Sequence, residues 1–134
     1  MEGNLLRARL LVISLTASWV AVVIGCGDDG PQRYQVKGSV TFAGKPVPFG
    51  QIVFEPDSGQ GNSGPQDFAK ISDGQYDTTT EMGVVGGPHL VRVTGASVAR
   101  EDENNPSPPL FPHYQTKLDL PKEDSTQDIA VPGK

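Results

Sequence analysis

YQVKGSVTF, residues 34–42, decides the fold class. On an extended chain Tyr34, Val36, Val40 and Phe42 fall on one side, and Gln35, Lys37, Ser39 and Thr41 on the other. Apolar residues at period two specify a β-strand with one buried face and one solvated face. Ala43-Gly44-Lys45-Pro46 follows as a turn, where Gly44 is free to take positive φ. Residues 51–55, QIVFE, read as the return strand, so the pair is expected to form a hairpin.

The same pattern continues toward the C-terminus. Residues 57–66, DSGQGNSGPQ, are a loop of turn formers. They spell G-x-G-x-x-G at Gly59, Gly61 and Gly64, but Pro65 and a new strand follow. A dinucleotide fingerprint must open a helix, so phosphate binding is not expected here. Residues 68–72, FAKIS, are a short strand, Asp73-Gly74 is a hairpin-turn signal, and Gln75 to Thr78 begin the next strand. Residues 83–88 break the chain. Residues 89–94, HLVRVT, form a strand that places His89, Val91 and Val93 on one face. Residues 99–109, AREDENNPSPP, form an acidic, Pro-rich exposed loop. The apolar knot LFPHY, residues 110–114, then brings the chain back, with Tyr114 expected over the core and its hydroxyl hydrogen-bonded. Residues 116–120 and 126–131 supply two last short strands. No stretch after Cys26 has a helical period.

The first 26 residues read differently. Arg7 and Arg9 precede an apolar run, residues 10–24, which is 15 residues long. A membrane-spanning helix needs about 20 apolar residues, whereas a secretory h-region needs about 7–15. The run ends in Val23-Ile24-Gly25-Cys26, the spelling of a lipobox. In such a signal the Cys thiol takes a diacylglyceryl group as a thioether, and the small residue before it lets a signal peptidase close on the bond. Ordinary cleavage after Gly27, a retained short anchor and an incidental buried cysteine are the other readings. Cys26 is the only cysteine, and an odd cysteine in an exported chain calls for a use other than a disulfide. The Met-Glu start excludes myristoylation.

The expected organisation is therefore a signal at residues 1–25, a lipidated tether at 26–33 and one β domain at 34–132. Cleavage before Cys26 leaves 109 of 134 residues. Removing Glu2, Arg7 and Arg9 takes 11 basic and 16 acidic residues to 9 and 15, a net charge of −6. That balance disfavours nucleic acid and anionic lipid headgroups as partners. Sixteen Gly and twelve Pro suit short strands joined by turns.

The segments VKGSVTFAGKPVPFGQIVFEP, ISDGQYD, GGPHLVRVTG and FPHYQTKLDLP resemble small planctomycete lipoproteins with a carboxypeptidase-regulatory-like, transthyretin-like domain. The matching residues are Gly38, the Gly44-Lys45-Pro46 turn, Phe54, Asp73 to Tyr76, Gly87, Val91, Val93 and Tyr114. The resemblance implies a single all-β sandwich of about seven short strands and an exported, lipid-anchored state. It implies no activity. The fold has an enzyme branch, the 5-hydroxyisourate hydrolases, which use paired His and Arg residues and a terminal Tyr-Arg-Gly-Ser. This chain reads Val131-Pro132-Gly133-Lys134 there, so that activity is not carried over.

No catalytic set is expected. G-x-S-x-G is absent, and neither His89 nor His113 has a metal-ligand neighbour at i+2 to i+4. His89 reads as a half-buried strand residue and His113 as a surface or packing residue. Asp57, Asp67 and Asp73 could hold Ca²⁺ between loops, but aspartate in turns ordinarily caps backbone. The expected site is lipid attachment at Cys26, with no catalytic, cofactor or metal residues. The expected partners are membrane lipid and an envelope protein or glycan. The expected role is structural or adhesive, on the non-cytoplasmic side of a bacterial membrane. The alternatives are a carbohydrate- or peptide-binding accessory module and a hydrolase with unfamiliar residues.

Overall fold

The computed structural model describes residues 30–99 and 106–133. The apolar run, Cys26, the first half of the tether and residues 100–105 of the acidic loop lie outside the described residues.

The protein is all-β. Among the described residues nine strands form, namely β1 Val36–Phe42, β2 Lys45–Pro46, β3 Phe49–Pro56, β4 Asp67–Ser72, β5 Gln75–Asp77, β6 Gly87–Ala96, β7 Tyr114–Leu120, β8 Ser125–Thr126 and β9 Ile129–Val131. Seven of them run in the order β2-β1-β5-β4-β3-β6-β7, each antiparallel to its neighbour. β8 and β9 add to β1 in parallel. Among the described residues the helical segments are two single 3-10 turns, Ser58–Gln60 and Thr78–Thr80.

The sheet curls until its inner face closes on itself, giving a sandwich-like shell in which β1 serves both walls. The alternation written in the sequence decides which residues line it. Val36 and Val40 of β1, Ile52 and Phe54 of β3, and Val91 and Val93 of β6 are all buried. The two walls meet through the tilted ring pair Phe54–Tyr76, with centroids 5.9 Å apart, and through Phe42–Phe111 at 5.0 Å.

The expected hairpin of residues 34–42 with 51–55 does not form. β1 turns back only as far as β2, pairing Phe42 with Lys45 and Thr41 with Pro46. Val47 then donates to the Val40 carbonyl at 3.0 Å and buries its side chain. Beyond that point the edge is occupied. Val40 donates to the Gly74 carbonyl at 2.8 Å, and β5 pairs with Lys37, Gly38 and Ser39. Pro48 has no N–H to continue a ladder with β1, and its carbonyl accepts from Asp73 at 2.8 Å. The chain therefore crosses the shell, and β3 becomes a central strand between β4 and β6.

Two tight turns carry the required chemistry. Ala43-Gly44 has φ of 49° and 78°, and Asp73-Gly74 has 50° and 75°. Both central residues are left-handed, as a type I′ hairpin demands.

The knot also differs from expectation. Phe111 is the buried anchor, while Tyr114 is half-buried at the start of β7 and packs on the core from outside. Gly95 has no side chain, and a Cβ there would lie 2.6 Å from the Phe111 ring. The ring fills that space. The core tyrosine with a bonded hydroxyl is Tyr76, which donates to the Gln127 carbonyl at 2.6 Å.

Candidate functional site

Alternating antiparallel strands give the shell two ends. The entry end gathers the start of β1, the close of β5 with the turn Thr78–Thr80, the loop after β3, the start of β6 and the close of β7. The far end gathers the Ala43-Gly44 and Asp73-Gly74 turns and the segment joining β6 to β7.

A hollow of about 750 Å³ lies at the far end. It lies over the outer face of β3, β4 and β6, at the level where Gly50 of β3 pairs with Gly95 of β6. Gln51, Lys70 and Thr94 border it on the sheet, and Val98 and His113 border it on the connecting segment. Val98 is 53% exposed. Gly50 is also sterically required, since a Cβ there would lie 2.1 Å from the Thr94 carbonyl oxygen. The hollow offers an apolar floor, one ammonium and one imidazole. Among the described residues no hydrogen bond joins His113 to a hydroxyl or carboxylate.

A second, more polar hollow of about 640 Å³ lies where the three-residue β5 leaves β1 and β4 apart. Lys37, Gln75, Asp77 and Asp128 line it. Its two carboxylates serve the backbone. Asp77 accepts from the Thr79 hydroxyl and from the Thr79 N–H, the latter at 2.8 Å, and Asp128 accepts from the N–H and hydroxyl of Ser39, each at 2.8 Å. These bonds hold both carboxyls below the usual aspartate range.

The three aspartates considered for calcium do not converge. Asp57 and Asp67 sit at the entry end of the β3–β4 pair, and Asp73 sits in the turn at the opposite end. Asp57 accepts from Gln60 Nε2 at 2.8 Å and Gly59 N–H at 3.1 Å, and it pairs with Lys117 at 3.3 Å. The Gln60 bond foremost, then Lys117, lowers its carboxyl against the opposing effect of burial. Asp67 is 6% exposed, and its Oδ2 has no hydrogen-bond partner. Among the described residues no three His, Cys, Asp or Glu side chains cluster as metal ligands do.

His89 is 1% exposed, deeper than the half-buried position expected. It faces the core with Val91 and Val93. Nδ1 lies 2.8 Å from the Gly87 carbonyl, which fixes the proton there, and Nε2 is buried without a partner. Burial pushes its pKa down, opposed by the Gly87 bond and the charge of Asp119. Cys26, the expected lipid-attachment residue, lies outside the described residues, and His113 is exposed at the rim of the far-end hollow.

The sequence reading missed the far-end hollow. Gln51, Lys70, Thr94 and His113 are visible in the sequence, but which of them meet depends on register across β3, β4 and β6.

No family model, no curated protein and no solved structure matches this chain. Among the described residues no helix is long and apolar enough to cross a membrane.

Proposed function

We propose that the protein is a lipid-anchored lipoprotein of the bacterial cell envelope whose transthyretin-like, carboxypeptidase-regulatory-like domain binds an envelope partner without catalysis. The observation that carries this reading is the run of residues 10–24 ending in Val23-Ile24-Gly25-Cys26. An h-region of that length followed by a lone cysteine has one economical use, which is lipidation of the thiol. Two or more acyl chains then hold the protein stably on the bilayer, at roughly 0.8 kcal/mol per buried CH₂. A β domain that takes up its first pairing at Tyr34, soon after Cys26, agrees with this division of labour.

The test is Cys26→Ala. The variant should lose fatty-acid labelling and accumulate as uncut precursor. Labelling that survives the substitution overturns the reading.

The far-end hollow favours a second reading, an accessory module that takes a glycan or peptide. Thr94→Arg would fill the hollow. A glycan or peptide retained by the wild type and released by that variant would support this reading, and equal retention would remove it.

A further inference from the structure

The described chain begins at one particular place on the shell. Arg33 donates through Nη1 to the Gly83 carbonyl at 2.9 Å. Tyr34 and Val84 exchange both backbone hydrogen bonds, at 2.8 and 2.9 Å. Gly83 has φ of +83°, and a Cβ on it would lie 2.7 Å from the Tyr34 carbonyl oxygen. The exit of the tether and the loop around Gly83 are thus one tightly built unit. Met82, the residue before Gly83, is 71% exposed, the most exposed large apolar side chain among the described residues.

We propose that this entry end is a membrane-contacting surface. Met82 enters the lipid interface beside the tether, and the far-end hollow is turned away from the bilayer. The inference rests on the lipid anchor at Cys26 proposed above. Lengths support it. Seven residues link Cys26 to Arg33 and reach at most about 25 Å. The ten residues of β6 run from the entry end to the far end and cover about 30 Å at about 3.3 Å per residue. The tether is too short to pass along the domain and present the far end to the lipid. The same end carries exposed Lys122, Glu123 and Asp124, so the contact is made by Met82 alone, with these charges left in water. The occupant is a lipid surface recognised by an apolar side chain and held by the anchor, so anionic headgroups are not required.

Trp19 is the only tryptophan and precedes Cys26. Met82→Trp and Val98→Trp therefore each place a single tryptophan in the mature chain, one at each end. The mature lipoprotein is reconstituted into phosphatidylcholine vesicles with and without brominated acyl chains. Met82→Trp should shift to the blue and lose emission in brominated vesicles, while Val98→Trp should do neither. Quenching of Val98→Trp, or of neither variant, overturns the proposal. Intact mass read on the same samples reports the anchor separately. If the mass shows no acyl groups, the lipidation reading fails by itself. The same two variants, coupled through the Cys26 thiol to a maleimide phospholipid, then decide the orientation by the same criteria.

Discussion

The hydroxyl of Tyr76 donates to the Gln127 carbonyl at 2.6 Å, directly over Gly38. Gly38 and Tyr76 are register partners in β1 and β5, and a Cβ on Gly38 would lie 2.0 Å from the Gln127 oxygen. The missing side chain lets the connection between β8 and β9 lie down on β1, and the tyrosine fastens it there. Tyr76→Phe removes a part-buried hydrogen bond and should cost about 0.5–1.5 kcal/mol. Gly38→Ala forces backbone apart and should cost a further-reaching ~1–3 kcal/mol or more. Urea unfolding of both variants measures this, and hydrogen exchange should show β8 and β9 losing protection first. Burial in the core also raises the Tyr76 pKa, so the hydroxyl stays a donor through the alkaline range.

Phe111 should dominate the knot. Its ring is 7% exposed and packs on Phe42. Phe111→Ala should cost about 3–5 kcal/mol, the range for large aromatic truncations. Tyr114→Ala should cost clearly less, and the exposed His113→Ala should stay within about 0.5 kcal/mol. Chemical denaturation of the three variants gives the ranking, and a larger loss at Tyr114 than at Phe111 would contradict it.

Alternation identified which side chains of residues 34–42 and 89–94 turn inward, and Asp73-Gly74 identified its own turn. These are local properties, written within a few residues. The partner of each strand is not local. β3 looks like the return strand of β1 until Pro48 and the occupied edge at Val40 are taken into account, and only the second of these needs the whole fold. The choice of Phe111 over Tyr114 likewise depends on Gly95, sixteen residues earlier, leaving a space for one ring.

Ala43 occupies a left-handed position at φ 49° that asparagine or glycine fills more easily. Ala43→Asn should therefore raise stability by about 1 kcal/mol, since left-handed backbone costs an alanine roughly 1–2 kcal/mol. A raised melting temperature checks it. An unchanged or lower one would mean that the contact of Ala43 with Gly133 matters more.

His89 makes the fold sensitive to mild acid. Burial lowers its folded pKa, so the native state holds it neutral, while the unfolded chain binds a proton near pH 6.5. Stability is full above that pH and falls as pH drops from about 6.5 toward the lowered folded pKa. Asp57, Asp77 and Asp128 also have lowered values, but their contributions fade only at and below the ordinary aspartate range, about 3.9. Comparing urea midpoints at pH 7.5 and 5.5 isolates His89, at roughly one unit either side of its unfolded value. The wild type should lose more stability on acidification than His89→Leu, and equal losses would contradict the assignment.

The central claim is that Cys26 is the mature N-terminus and carries lipid. Intact mass spectrometry of the protein purified from membranes tests it most directly, with the emission spectrum read on the same sample. The account predicts a chain beginning at Cys26, heavier than its polypeptide by a diacylglyceryl group and an acyl chain, with tyrosine emission alone because Trp19 has been removed. A mature chain with unmodified Cys26, or one that still shows tryptophan emission, would contradict it.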